Sequence, residues 1–238
     1  MALSPERVGR ITASRFHDVM VAPKSKAARE AGELAASARA YMFELLAETL
    51  TGESRDYSGD GGPAATQWGN RFEPYARTVY RDLMGRDVTE PGFVTHHTID
   101  RVGCTPDGVV GQVGGLEIKC PYNAENHLRV LIDRALPKQY VAQVQGSLWV
   151  TSREWWDFVS YDPRCERVEQ AFSVVRVVRD EPYIAELERA CVRLLDALDE
   201  QLECVRAMIA SGTSTAHTVA HLIAPPIRLT WKGEEVRI

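Results

Sequence analysis

Two carboxylates and a lysine, close together in the chain, are the residues best suited to chemistry. Asp107 precedes Glu117 and Lys119, with Ile118 between the last two. Successive side chains on a strand alternate faces, so Glu117 and Lys119 would point into a cleft together, away from Ile118. Asp107, Glu117 and the Ile118 carbonyl are oxygen donors for a divalent cation, and Lys119 can orient a water. This pattern predicts metal-dependent phosphodiester hydrolysis.

The elements around these residues predict a single domain over 1–238. The fold class is α/β (α+β), a central mixed β-sheet flanked by helices. We expect helices over about 26–50, from Pro74 to Met84, over 137–151, and over 184–209, where apolar residues recur every three or four positions. Ser14 predicts the capped start of a short helix. We expect strands at about 92–97, 101–104, 108–113, 115–119, 155–161 and 168–177, a loop at 52–66, and an unassigned tail over 211–238.

Composition favours an ordinary soluble protein and argues against a membrane protein. The 238 residues are 45% hydrophobic and 26% charged, with no long apolar stretch and no signal peptide. Five scattered cysteines indicate a reducing compartment, and the six histidines lack metal-site spacing, so we interpret them as structural or surface residues. The net charge of −5 is unusual for a DNA-binding protein. However, basic residues prevail over 1–39 and acidic ones over 180–210, which is compatible with a local basic DNA-binding surface.

Several motifs give the chain a resemblance to a known family. Thr-Pro-Asp-Gly at 105–108 with Leu-Glu-Ile-Lys-Cys-Pro at 116–121 resembles the core of the PD-(D/E)xK nucleases, with their restriction-endonuclease-like core. Further blocks in matching order resemble the phage lambda exonuclease branch of viral recombination nucleases; they lie at 7–14, 68–73, 140–145, 149–151 and 161–164. The resemblance covers about residues 7–210.

The resemblance implies further active-site residues. Glu73 would join Asp107 and Glu117 as a metal ligand, although a glutamate in the first turn of a helix can also simply stabilise the helix dipole. Gln143 would assist Lys119 in holding the water or the scissile phosphate, and Tyr140 shares its helix face; a glutamine that caps a helix or bonds within the core is the alternative. One or two Mg²⁺ ions are implied, with Mn²⁺ as a substitute.

Selection of DNA ends would depend on Arg7 and Ser14, which match the family's 5′-phosphate pocket. A guanidinium fork suits a terminal phosphate, and a serine at a helix start adds further donors. Two positions depart from the family pattern. Thr66 or Gln67 stands where a bulky apolar residue helps to split the duplex end, and the Asn123-Ala124-Glu125 segment lacks an expected arginine.

The implied function is a Mg²⁺-dependent 5′→3′ exonuclease on linear double-stranded DNA that releases nucleotides and leaves a 3′ single strand. Its implied partners are DNA ends, two further copies in a ring-shaped homotrimer, and a phage single-strand annealing protein. The implied location is the cytoplasm of a bacterial host. Two alternatives stay open: an endonuclease of restriction or repair type, and a DNA-binding protein whose site has decayed.

Overall fold

The computed structural model describes residues 5–53, 64–211, 229–231 and 234–236. The chain divides into two compact units, residues 1–198 and 199–238, so the prediction of one domain stays a prediction. The strands are β1 (Ile11–Thr12), β2 (Val88–Thr89), β3 (Val94–Thr95), β4 (Val102–Cys104), β5 (Gly108–Val110), β6 (Gly114–Lys119), β7 (Trp155–Tyr161), β8 (Phe172–Val178), β9 (Leu229–Trp231) and β10 (Glu234–Val236). The α-helices are α1 (Phe16–Met20), α2 (Lys26–Glu30), α3 (Ala36–Thr51), α4 (Ala64–Met84), α5 (Ala124–Asp133), α6 (Val141–Thr151), α7 (Val168–Ala171) and α8 (Glu181–Ala210).

The central sheet has the strand order β2-β5-β6-β7-β8 among the described residues. β6 pairs with β7 in parallel, and the other neighbours pair antiparallel. The two glycines that open β6 allow β7 to lie beside it. A Cβ atom would fall 2.1 Å from the Trp155 ring at Gly114 and 2.1 Å from the Trp156 ring at Gly115. The mixed sheet flanked by helices confirms the predicted fold class.

Helices cover both faces of this sheet. Leu116 and Ile118 of β6 pack in one buried cluster with Ala76 and Tyr80 of α4. On the opposite face, Trp156 and Phe158 of β7 pack with Val144 and Leu148 of α6, and with Val130 of α5. Glu117 is in register with Phe158, so it faces α6. The period-two pattern of β6 therefore sends its apolar residues to α4 and its charged residues to α6, as predicted.

Several predicted elements have different bounds. The helix predicted to start at Pro74 begins at Ala64 and contains Pro74, so the predicted loop is wrong over 64–66; its residues 54–63 lie outside the described residues. The helix predicted over 26–50 is two helices, because Gly32 between them has a φ of +70°. The strand predicted from 168 begins at Phe172, after α7.

Two further helices differ from expectation. Ser14 does not cap a helix, since it lies in a 3-10 turn (Ala13–Arg15) and α1 begins at Phe16. The helix α5 was not predicted; it follows Asn123, whose side chain makes no capping hydrogen bond. The long helix predicted over 184–209 is confirmed as α8. In the tail, the described segments β9 and β10 pair as an antiparallel hairpin.

Candidate active site

Asp107 and Glu117 meet where β5 and β6 pair. Gly108 is in register with Leu116 in this antiparallel pair, which places Asp107 opposite Glu117. Glu117 is 1% exposed, and Oδ2 of Asp107 accepts a hydrogen bond of 2.6 Å from the backbone N–H of Ile118. Burial and the neighbouring charge of Glu117 raise the pKa of Asp107. The site therefore concentrates negative charge in a place with little water.

Lys119 lies on the same face of β6 as Glu117. Its Nζ is 2.5 Å from Oε1 of Glu117 and 5.3 Å from the centre of the Tyr140 ring. Burial alone would lower the pKa of Lys119, but the charges of Glu117 and Asp107 raise it above its ordinary value. Lys119 is thus held as an ammonium ion between two carboxylates and an aromatic ring.

Gln143 and Tyr140 reach the same place from the start of α6. Nε2 of Gln143 donates a 2.6 Å hydrogen bond to Oε1 of Glu117, the atom that also contacts Lys119. The Tyr140 ring packs against Phe158, with ring centres 5.1 Å apart. Gln143 therefore orients Glu117, and the assistance predicted for Lys119 stays a prediction.

Glu73 approaches from α4 and has an arginine partner that sequence reasoning missed. Its carboxylate is hydrogen-bonded by Arg77, one helical turn further on, and the side chain of Arg77 is 8% exposed. Nε of Arg77 also donates a 2.8 Å hydrogen bond to the carbonyl of Asp107, which ties α4 to the strand end. Burial and Asp107 raise the pKa of Glu73 to about 7, against the opposing effect of Arg77 and Lys119. The spacing of four residues on a helix was the signal available for this pair.

Glu73, Lys119 and Tyr140 border one cavity of about 410 Å³, which we call the Lys119 cleft; Asp107, Glu117 and Gln143 are not among the described residues that line it. Its lining includes Glu73 from α4, Ile118 and Lys119 from β6, and Tyr140. The Ile118 side chain also belongs to the buried cluster that packs on α4. Sequence positions spread over about seventy residues therefore converge on one concave surface.

The donor set is of the right chemistry for a divalent cation. Two crowded carboxylates, Asp107 and Glu117, are hard oxygen ligands whose mutual repulsion a cation would relieve. Within the described residues, no group of three or more His, Cys, Asp or Glu side chains is close enough to hold a metal ion. A site here would thus combine these two carboxylates with backbone and solvent oxygens, and the role of Glu73 as a further ligand stays a prediction.

Arg7 and Ser14 belong to the chain's first segment. Arg7 ends a 3-10 turn (Pro5–Arg7) and is half-buried, and its carbonyl accepts a hydrogen bond from Arg10. Ser14 is exposed, with Oγ 3.3 Å from Oγ1 of Thr12. Neither is among the described residues that line the Lys119 cleft, so their role as a phosphate pocket stays a prediction.

Two of the positions that depart from the family pattern line the cleft. Thr66 is exposed on α4 and lines it, and Asn123, which precedes α5, lines it as well. Glu125 is in the first turn of α5. The histidine interpretation fits His127, which is fully buried between the Ser160 hydroxyl and the Gln170 carbonyl. His217 and His221 lie outside the described residues.

A mixed sheet that presents two carboxylates and a lysine from paired central strands, beneath a helix that supplies a glutamine, is the core of a PD-(D/E)xK-type nuclease. The YqaJ-like viral recombinase domain matches residues 4–154 of this chain. The chain belongs to this family, which confirms the predicted resemblance to phage recombination nucleases.

Solved structures agree with this assignment. The chain is 36% identical to the alkaline exonuclease LHK-Exo from Laribacter hongkongensis, with a TM-score of 0.74 over 86% of this chain and 95% of that one. A phage-related exonuclease from Haemophilus somnus 129PT shares the fold at 18% identity, with a TM-score of 0.68 over 82% of this chain and 96% of that one. The Escherichia coli (strain K12) protein ExoD is 37% identical over 68 residues, which are 29% of this chain and 76% of ExoD. Among the described residues, no helix is long and apolar enough to cross a membrane.

Proposed function

We propose that this protein is a Mg²⁺-dependent 5′→3′ exonuclease that acts on the ends of linear double-stranded DNA, releases mononucleotides and leaves 3′ single-stranded overhangs for recombination by strand annealing. The observation that carries the proposal is the clustering of Asp107 and Glu117 around Lys119, which itself lines the cleft. The similarity to an alkaline exonuclease over 95% of that protein's length supports it.

The residues in and around the cleft have different roles in the proposed reaction. Asp107 and Glu117, with the Ile118 carbonyl and Glu73, would hold Mg²⁺, which supplies a Lewis acid for the phosphoryl oxygens; Mn²⁺ should substitute. Lys119 positions the attacking water and offsets the negative charge that develops on the phosphate. Gln143 keeps Glu117 in place through its 2.6 Å hydrogen bond. Tyr140 packs against the lysine and restricts its movement.

The 5′→3′ direction follows from how a terminal phosphate would be recognised. Water attacks the phosphorus, the bond to the 3′ oxygen of the terminal nucleotide breaks, and that oxygen takes up a proton. The shortened strand then carries a new 5′-phosphate. We assign its recognition to Arg7 and Ser14, whose guanidinium and hydroxyl groups suit a phosphate dianion. Each cycle therefore regenerates the group that the next cycle needs.

The assembly and partners of the enzyme are part of the same proposal. By family resemblance, three copies form a ring through which DNA passes, and the 3′ strand is transferred to a phage single-strand annealing protein. The setting is the cytoplasm of a bacterial cell that carries a phage or prophage. Sedimentation of the protein with and without linear DNA tests the trimer, because a monomer in both samples would contradict it.

The decisive experiment uses linear duplex labelled at either the 5′ or the 3′ end, with and without Mg²⁺ and with and without a 5′-phosphate. We expect early release of the 5′ label as a mononucleotide, only with Mg²⁺, and fastest with the 5′-phosphate. A covalently closed circle is the control and should stay intact. Cleavage of the circle would show an endonuclease instead, and no cleavage of any substrate would leave a DNA-binding protein.

A further inference from the structure

Tyr122 is an exposed aromatic residue on the wall of the Lys119 cleft. Its surface is 50% exposed, and it lines the same cavity as Lys119 and Glu73. Its ring meets the Trp68 ring edge-on, with centres 6.0 Å apart and an angle of 85° between the planes. A large aromatic surface kept in contact with solvent inside a concave site indicates a surface for a ligand.

The backbone on which Tyr122 sits is held firmly by Arg164. Two nitrogens of this guanidinium bond Asp162, which is 1% exposed, at 2.7 and 2.6 Å. The same guanidinium donates to the carbonyls of Tyr122 (3.0 Å) and Pro121 (3.3 Å) and lies over the Trp68 ring, 4.8 Å from its centre. Because the support is fixed by hydrogen bonds from Arg164, which is itself paired with a buried carboxylate, little conformational freedom would be lost when a ligand stacks on Tyr122.

The other groups around Tyr122 suit a nucleobase. The cleft is lined by the side-chain amides of Asn70, Asn123 and Asn126, which are all exposed. Amides both donate and accept hydrogen bonds, as the edges of bases require. Gly69 also lines the cleft and has no side chain. A Cβ atom at this position would meet no atom within 4 Å, so a flat ring has room to approach the backbone.

We propose that Tyr122 and the neighbouring amides form a nucleobase subsite of the Lys119 cleft. It takes the unpaired base of the 5′-terminal nucleotide, the one about to be released. This inference rests on the proposed nuclease function and extends it to the base of the substrate. Stacking on an aromatic ring accepts any of the bases, because each has a π face, so the subsite stabilises an opened duplex end without sequence preference.

The chain offers a matched control for this subsite. Tyr75 on α4 is also exposed, at 61%, and its ring contacts Phe72 with centres 6.2 Å apart. It is not among the described residues that line the cleft. Tyr122→Ala and Tyr75→Ala remove the same side chain from within and from outside the proposed subsite.

The test compares kcat/KM on linear duplex with a normal or an abasic 5′-terminal nucleotide. On normal DNA we expect Tyr122→Ala to lower kcat/KM about ten-fold, the size of one base–aromatic stack, and Tyr122→Phe and Tyr75→Ala to stay within about two-fold. On abasic DNA, Tyr122→Ala should match the wild type. Equal losses for Tyr122→Ala on both substrates would overturn the subsite and indicate a structural role.

A binding measurement separates this inference from the proposed function. With Ca²⁺ in place of Mg²⁺, an unpaired 5′-terminal 2-aminopurine should be less fluorescent when bound to the wild type or to Tyr122→Phe than when bound to Tyr122→Ala, because stacking on the ring quenches it. If the wild type cleaves DNA but quenches no more than Tyr122→Ala, the subsite alone is wrong. If the wild type quenches but does not cleave, the proposed function is wrong and the subsite stands.

Discussion

Two groups of buried acidic residues lie on opposite faces of the central sheet, and their charges are compensated differently. On the α4 face, Asp157 is 0% exposed and accepts hydrogen bonds from Arg176 at 2.8 and 2.7 Å and from the Tyr80 hydroxyl at 2.7 Å. On the α6 face, Asp107 and Glu117 crowd together and share Lys119. Asp157 is in register with Leu116, the residue before Glu117, so the two groups are immediate neighbours across the sheet.

The comparison separates a structural carboxylate, Asp157, from the two carboxylates that we propose as cation ligands, Asp107 and Glu117. A buried carboxylate that serves stability has its charge matched by a guanidinium fork and its oxygens occupied. The pair on the α6 face keeps more negative than positive charge, which weakens the fold and suits the binding of a cation. Burial alone does not distinguish Asp157 from Glu117, because both are almost fully buried. Their hydrogen-bonding and charged partners distinguish them.

The largest effect should come from neutralising Glu117, one of the two proposed cation ligands. Glu117→Gln keeps the size of the side chain but removes a cation ligand and the charge beside Lys119, so kcat should fall about 10³-fold. The unfolding free energy should change by less than about 1 kcal/mol, since repulsion with Asp107 is relieved. Steady-state hydrolysis and thermal unfolding measure the two effects. A variant as active as the wild type would remove Glu117 from the mechanism.

Breaking the ion pair between Asp157 and Arg176 should have the reverse outcome, a loss of stability without a large loss of activity. Arg176→Met leaves the Asp157 carboxylate buried with Tyr80, and we expect the unfolding free energy to fall by about 2 to 3 kcal/mol, somewhat less than for a fully buried pair because Arg176 is partly exposed. Chemical denaturation measures the loss. The folded protein should keep its turnover within about two-fold. A large loss of turnover with unchanged stability would contradict the division between the two groups.

The smallest effect is a difference in pH dependence. The pKa of Glu73 is about 7 in the folded protein against an ordinary value of 4.5, so the folded state holds this proton more tightly than the unfolded chain does. In EDTA, its contribution should therefore lower stability as pH rises from about 5 to about 7. Glu73→Gln should remove that part of the slope, measured as the difference in Tm between variant and wild type across pH. If the difference in Tm between variant and wild type does not change with pH, the pKa of Glu73 is not raised in the folded protein.

Local features of the sequence were enough to predict several elements of the structure correctly. Spacing within one strand sufficed to predict that Glu117 and Lys119 share a face, and regular apolar spacing sufficed for α8. Local signals failed where the surroundings overrode them. Pro74 is a typical helix-start residue, yet α4 extends through it, and Gly32 interrupts a segment of good helix formers. In α4, packing of its apolar residues on β6 offsets the lost hydrogen bond.

Residue types and their order along the chain were enough to predict the family, the mixed sheet, and the shared face of Glu117 and Lys119, because side chains that alternate along one strand need no distant partner to be placed. The tertiary structure alone decided which distant groups complete the site. It brought Gln143 to Glu117, Arg77 to the Asp107 carbonyl, and Arg164 to the backbone of Tyr122. Such contacts depend on how helices dock on a sheet, which is determined by the packing of the whole core rather than by any local pattern.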